Sequence, residues 1–172
     1  TEKKSAAYSL SNDIIINAQE FVYKIEANEL IAKKNVLIKN ERKNYRIYSD
    51  YIEYYKNLEK IFSKGKTRAK INSKYDFSSS DVTFFNKTME LKASKNTKII
   101  DNNTNLYKLS KFHYSINKEI LKGENILINI NYNLPKNEKI YFSSAIIDLK
   151  NKNFTAKDPE IRLGKSIFDN SE

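Results

Sequence analysis

The chain has 172 residues, enough for one domain with a sizeable core. With Gly 3, Pro 2, Cys 0 and a single His, the composition excludes Gly-rich phosphate loops, a disulfide framework and cysteine-ligated metal, and it leaves the turns to Asn and Asp. Lys+Arg 31 against Asp+Glu 21 gives a net charge of +10, which points to an anionic partner such as nucleic acid, anionic lipid or polysaccharide, or else to lysines that only solvate outer faces.

The opening "TEKKSAAYSL" has no apolar signal core, and no apolar run approaches the length of a membrane-spanning helix. With no initiator Met, the chain reads as a mature or excised segment whose residues 1–13 form a flexible lead-in. The abundance of Tyr 12, Phe 9 and many Ile then favours strand over helix.

From residue 14 the apolar positions recur in units of about thirty residues, as in a repeat architecture. The first unit is anchored on Gln19, with Ile16 three before, Ala18 one before, Phe21 two after and Tyr23 four after. The apolar face therefore slips by one residue at the anchor. A short basic corner follows in "LIAKKNVLI", and alternation resumes at Val36 and Ile38.

The second unit, "YRIYSDYIEYY" around Asp50, repeats the slip with Ile47, Ser49, Ile52 and Tyr54, then the corner "IFSKGKTRAKI". In the third, around Ser80, stand Phe77, Ser79, Val82 and Phe84, then "LKASKNTKII". The fourth, around Ser110, has Tyr107, Leu109, Phe112 and Tyr114, then "ILKGENILINI" with Ile126, Ile128 and Ile130. "NYNLPKNEK" interrupts the period, its Pro135 marking a loop. The fifth unit aligns on Ser144, with Tyr141, Ser143 and Ile146; Asp148 breaks its last column, and "FTAKDPEIRL" follows.

A strand carrying a bulge at the anchor bends there, and the extra residue turns the apolar side chains inward again beyond the bend. Ten such strands side by side give two sheets facing across a common interior, a trough on the order of 48 Å long at roughly 4.8 Å per strand. The sequence thus predicts an all-β, elongated antiparallel β-jellyroll of about five repeats over residues 14–165, with 166–172 as a linker. A stack that never closes leaves both end strands as open edges.

The candidate lining of the trough is Val36, Ile47, Ile52, Tyr54, Phe77, Val82, Phe84, Tyr107, Phe112, Tyr114, Ile126 and Ile128, with Lys64, Lys66 and Lys122 as basic candidates for the rim. Alternation alone does not separate a groove from a filled core. Catalysis is not expected. His113 lies between Phe112 and Tyr114 and so points to the opposite face, and nothing in the sequence brings the carboxylates Asp101 and Asp148 to a working separation. A basic module that stacks bases on its tyrosines is the competing class, but the aromatics fill the apolar columns instead of alternating with Lys, so nucleic acid is not the expected partner. A structural solenoid with a filled interior is the third class. No cofactor or metal is expected.

The corners "A/S-K-x-N-V/T" and "KG-x-N-I-x-I" and the segment "SD-x-I-x-Y" resemble the OstA-like domain of the proteins that carry lipopolysaccharide across the Gram-negative periplasm. "KFHYSINKEILKGENILI" and the ending "IDLKNKNFTAKDPEI" are similar to the periplasmic domain of the LptD family of outer-membrane LPS-assembly proteins, just ahead of its β-barrel. The resemblance implies a folded-over β-jellyroll, or β-taco, in the periplasm that holds the acyl chains of lipid A between its walls. It also implies receipt of LPS from a homologous bridge protein by β-strand pairing, and delivery to an outer-membrane barrel with its lipoprotein plug. A free-standing bridge protein would show the same repeats. Two departures are plain: the barrel is absent, and so are the cysteines by which many relatives tie the domain to it.

Overall fold

The computed structural model describes residues 5–9, 13–135 and 137–162. They form one antiparallel sheet of 15 strands. In chain order these are β1 (Ser5–Ser9), β2 (Ile14–Ala18), β3 (Glu20–Lys24), β4 (Glu29–Asn40), β5 (Tyr45–Tyr55), β6 (Lys60–Ile71), β7 (Tyr75–Phe85), β8 (Glu90–Ala93), β9 (Thr97–Asp101), β10 (Leu106–Leu109), β11 (Lys111–Ser115), β12 (Ile120–Ile130), β13 (Glu138–Asp148), β14 (Asn153–Lys157) and β15 (Glu160–Arg162).

The sheet is folded along a line that every repeat crosses. Strands β4, β5, β6, β7, β12 and β13 run through the line, while the pairs β2/β3, β8/β9, β10/β11 and β14/β15 cross it with a break. On one side the neighbours are β1-β2-β4-β5-β6-β7-β9-β10-β12-β13-β15, the first wall. On the other they are β3-β4-β5-β6-β7-β8-β11-β12-β13-β14, the second wall. This is the folded-over jellyroll that the repeat predicts.

The slip in parity is visible in burial. Along β5 the buried positions are Tyr45, Ile47 and Ser49, then Ile52 and Tyr54. Strand β7 repeats this with Tyr75 and Phe77, then Val82 and Phe84. The surplus residue, however, is on the corner strands and not at the anchors. Lys34 and Asn35 of β4 stand opposite Asp50, because Lys33 pairs with Tyr51 and Val36 with Ser49. Lys64 and Gly65 of β6 stand opposite Asp81 in the same way. The corner residues Lys34, Asn35 and Gly65 have φ of 63°, 51° and 78°, so the bend is made where left-handed backbone is present. Asp81 supports it by accepting the Gly65 N–H at 2.8 Å.

Two further expectations are corrected. In the fifth unit Phe142, Ala145 and Ile147 are buried, whereas Tyr141 and Ile146 are 40% and 46% exposed. The pivot is therefore Ser143, and Ile147 completes the column that Asp148 breaks in the sequence reading. The loop between β12 and β13, where Pro135 lies, hides this one-residue shift. The lead-in is not wholly unstructured, since β1 pairs with β2 from Ser5↔Ala18 to Ser9↔Ile14; five residues are too few for alternation to register. The linker at 166–172 lies outside the described residues.

The edges away from the fold line are stacks of turns. Along the second wall, Asn28, Glu59, Met89 and Glu119 all have φ between 46° and 55°. Each gives its carbonyl to the next turn, accepting from the N–H of Lys56, Asn86, Ile116 and Leu149 in order. These bonds satisfy backbone groups that no ladder reaches and lock successive repeats at a spacing of about thirty residues. Among the described residues, Asn and Asp hold nine of the sixteen non-glycine positive-φ positions, so they do carry most of the turning.

Candidate functional site

The interior between the walls is built from the slipped columns. Val36, Ile47, Ile52, Tyr54, Phe77, Val82, Phe84, Tyr107, Phe112, Tyr114, Ile126 and Ile128 all lie in it, none more than 8% exposed, within one contiguous apolar cluster. Burial of this kind describes a core as well as a groove. The distinction lies in how the two walls meet.

In the middle of the molecule they touch. Tyr45 of the first wall meets Phe84 of the second edge-on, with ring centroids 4.8 Å apart. Phe77 packs against Tyr114 at 5.0 Å and Phe112 at 5.9 Å, and Tyr75 reaches Tyr114 at 6.0 Å. Burial raises the hydroxyls of Tyr45, Tyr75, Tyr107 and Tyr114 above the usual tyrosine range, and beside Tyr75 and Tyr107 the carboxylates Glu119 and Asp101 add to the rise.

Between these contacts and a second meeting of the walls at the C-terminal end, the lips part. A cleft of about 460 Å³ opens there, with Tyr107, Ile128, Ile140, Ile147 and Phe154 among its apolar lining. Its mouth carries Lys74, Lys150 and Lys152 together with Asp101, Glu119 and Asp148. The ring of Phe142 packs on Phe154, centroids 4.7 Å apart, at the far end.

Polar clasps join the lips where the walls touch. Glu119, on the turn after β11, takes an ion pair from Lys74 at 3.0 Å and a hydrogen bond from the Tyr75 hydroxyl at 3.0 Å. Nearer the N-terminal end, Tyr45 donates to the Asn86 side chain at 3.1 Å, and Asn86 donates to Glu59 at 3.2 Å.

The candidate acids stand together at the mouth, but both are occupied by turn structure. Asp101 accepts from the backbone N–H of Asn103 and Asn105, each at 2.9 Å, and from the Tyr107 hydroxyl at 3.2 Å. Asp148 accepts from the backbone and side chain of Asn151, which hold its carboxyl below the usual range. The basic candidates are elsewhere. Lys64 and Lys66 sit on the closed fold line, and Lys122 projects from the outer face of the second wall beside His113. His113 does face away from the interior, with Nε2 3.2 Å from Glu90. Both belong to an outer concavity of about 720 Å³ that follows the cross-strand row Thr83, Lys92, His113, Lys122, Ile146 and Thr155. It is larger than the cleft but is separated from the apolar interior by the sheet.

The lysines at the mouth, Lys74, Lys150 and Lys152, are not singled out by the sequence. They lie on turns, at positions where residue type follows no visible pattern.

A solved structure shares this arrangement: that of LptH, described as the LptA-homologous periplasmic component of the lipopolysaccharide transport device of Pseudomonas aeruginosa, with a TM-score of 0.57 at 14% identity, over 66% of this chain and 85% of LptH. The chain has an LptH-like fold. By sequence, no protein-family profile matches it, and neither does any curated protein. In this LptH-like β-jellyroll the C-terminal cleft offers room for a guest between the walls, and lysines border its mouth. Among the described residues no cluster of side chains could hold a metal ion, and no helix is long and apolar enough to cross a membrane.

Proposed function

We propose that this chain binds lipopolysaccharide between its walls and conveys it across the periplasm. The observation that carries the reading is the apolar cleft between the walls, on a fold shared with a periplasmic lipopolysaccharide-transport component. At roughly 25 cal/mol per Å² of apolar surface buried, acyl chains gain enough on leaving water to be held without specific contacts, and weak selectivity suits a conduit that must release its load. The lysines at the mouth are placed to meet phosphates of the lipid head. No catalytic step is needed.

Two places in a transport line fit. As the periplasmic part of an outer-membrane protein, the domain would take LPS from a homologous bridge protein and pass it to a β-barrel with its lipoprotein plug. As a free-standing bridge it would pass LPS between two such neighbours, and its likeness over 85% of LptH supports this reading at least as well. In both, the end strands supply the joints: among the described residues, β1 and β3 at one end and β14 and β15 at the other each pair along one side. The reading frame beyond Glu172 discriminates between them.

The test is photo-crosslinking to LPS from a diazirine amino acid placed at Ile128, in the cleft, and at Leu127, its outward neighbour. Strong labelling at Ile128 and little at Leu127, unchanged as salt is raised, is the expected result. Equal labelling at both, or none while an oligonucleotide binds in a salt-sensitive way, overturns the proposal in favour of a polyanion-binding module.

A further inference from the structure

The chain's surplus of positive charge is not shared evenly by its outer faces. Between β4 and β13, the fold line aside, the outward positions of the first wall hold seven Lys or Arg against one acid, Asp76, whereas those of the second wall hold five Lys against five acids. The surplus is therefore a property of one face and not a general solvating coat. On that face the row nearer the lips runs Lys39, Arg46, Lys70, Asp76 and Ile100, and the next row runs Arg68, Ser78, Lys98 and Lys108. Arg68 pairs with Asp76, and Lys39 and Arg46 share Glu41. Lys70, Lys98 and Lys108 are exposed and form no ion pair among the described residues. Lys98 and Lys108 moreover stand directly opposite each other, a like-charge pair that destabilises the sheet unless an anion offsets it. This face is joined to the interior at the lip. A notch of about 460 Å³ lies beside the turns that connect β6 to β7 and β9 to β10, lined by Arg46, Lys70 and Ile100 from the outer face and by Lys74, Tyr75, Asp101 and Asn102 from the lip. The last four also line the cleft between the walls, so the two spaces meet over the lip of the first wall.

We infer that the outer face of the first wall binds the phosphorylated saccharide of a lipid whose acyl chains lie between the walls. The inference rests on the lipid-binding reading and adds to it a site for the head, outside the trough. The saccharide leaves the cleft over the lip, crosses the notch and lies along Lys70, Lys98 and Lys108. On β9, Lys98 is two residues further from the lip than Ile100, about 7 Å at roughly 3.4 Å per residue, so a head of a few sugar rings spans the distance. A phosphate held over Lys98 and Lys108 offsets their mutual repulsion, which a neutral sugar does not, and charge-assisted bonds of this kind select the anion. Ile100, 45% exposed, gives the apolar face of a sugar ring a place to rest between the cations. Exposed contacts between lysine and phosphate are individually weak and screened by salt, which suits a load that must be let go.

The experiment uses the full chain and deacylated LPS, a phosphorylated oligosaccharide with no acyl chains, titrated by isothermal calorimetry at low salt. Binding is expected to weaken as salt rises, and to fall about five-fold or more in a Lys98→Gln, Lys108→Gln double variant. Lys60→Gln with Lys92→Gln, on the outer face of the second wall, is expected to change it less than about two-fold, and removal of the phosphates from the oligosaccharide is expected to abolish it. Because Lys98 and Lys108 repel each other, the first double variant should unfold at no lower a urea concentration than the wild type, so that a loss of binding is not a loss of fold. Intact LPS should still label a diazirine at Ile128 in both double variants. Equal losses in the two double variants, or no binding of the deacylated oligosaccharide while intact LPS labels Ile128, overturns the head site and leaves the lipid-binding reading standing. Tighter binding of a single-stranded oligonucleotide of the same charge overturns the site in favour of nucleic acid. Binding of the oligosaccharide with no label at Ile128 overturns the lipid-binding reading, and with it the link between the face and the trough.

Discussion

Replacing Phe84 by alanine asks whether the middle of the interior is a rigid core. Phe84 is 1% exposed and meets Tyr45 at a centroid distance of 4.8 Å. Its removal forfeits the transfer energy of the ring, leaves a cavity that two hydrogen-bonded walls resist filling, and loses a ring contact worth about 0.5–1.5 kcal/mol. The expected cost is about 3–5 kcal/mol. Ile128→Ala is the comparison. Ile128 is 6% exposed and borders the cleft, so part of its surface already lacks neighbours. Its loss should cost about 2 kcal/mol, the lower end of the range for large aliphatic residues. Urea unfolding followed by far-UV circular dichroism measures both, and unchanged m-values confirm that the unfolded state is the same. A cost below about 1 kcal/mol at Phe84, or equal costs at the two sites, refutes the division of the interior into a packed and an open half.

Because burial raises Tyr45, Tyr75, Tyr107 and Tyr114, the unfolded chain ionises first. Their stabilising effect is whole below about pH 10 and is lost as the pH rises, by about 1.4 kcal/mol per pH unit for each tyrosine; denaturant titrations from pH 9 to 11 should show this fall, and a flat profile contradicts it. On the outer face of the second wall, Tyr55 donates to Glu53 at 2.6 Å, and that bond, followed by burial, pushes its hydroxyl up to about 12. Glu53→Gln should return it toward about 10, read as the difference in phenolate absorbance between this variant and its Tyr55→Phe derivative. Lys152 is exposed with φ 56°, so Lys152→Gly relieves about 1–2 kcal/mol of left-handed strain against about 0.4–1 kcal/mol of added unfolded-state entropy. A higher urea midpoint is expected, and a lower one contradicts the sign.

The folded-over sheet is legible in the sequence because its signal is carried by side chains that are either buried or not. In units such as Ile47, Ser49, Ile52 and Tyr54, the parity change is written in the order of the residues themselves, and the burial pattern repeats it. What is not legible depends on backbone geometry. The surplus residue of each bulge sits at Lys34–Asn35 and Lys64–Gly65, polar corners that read only as turns, so the insertion falls by default on the anchors. The turn stack is hidden because Asn28, Glu59, Met89 and Glu119 share a conformation and a hydrogen-bond role but no chemistry. The fifth unit reads one residue out because the loop containing Pro135 breaks the count, and Asp148 passes for an exception to a column that Ile147 in fact fills.

The same limit explains why the candidate site is only half visible in the sequence. Alternation fixes which side chains face inward and says nothing of the distance between the walls, so Phe77 and Ile128 carry the same sequence signal although one meets rings across the interior and the other borders a void. That distance is set by bulk on both walls at once. Where Tyr45 meets Phe84, and Phe77 meets Phe112 and Tyr114, the rings fill the gap; where Ile128, Ile140 and Ile147 face the cleft beside Tyr107 and Phe154, the side chains do not meet across it. The lysines that the proposed function assigns to a lipid head are likewise those that the turns carry to the open lips, Lys74, Lys150 and Lys152, and not those at the corners, since the corners form the closed side of the fold. A basic residue contributes to such a site only through its place relative to the mouth, which is a property of topology and not of composition.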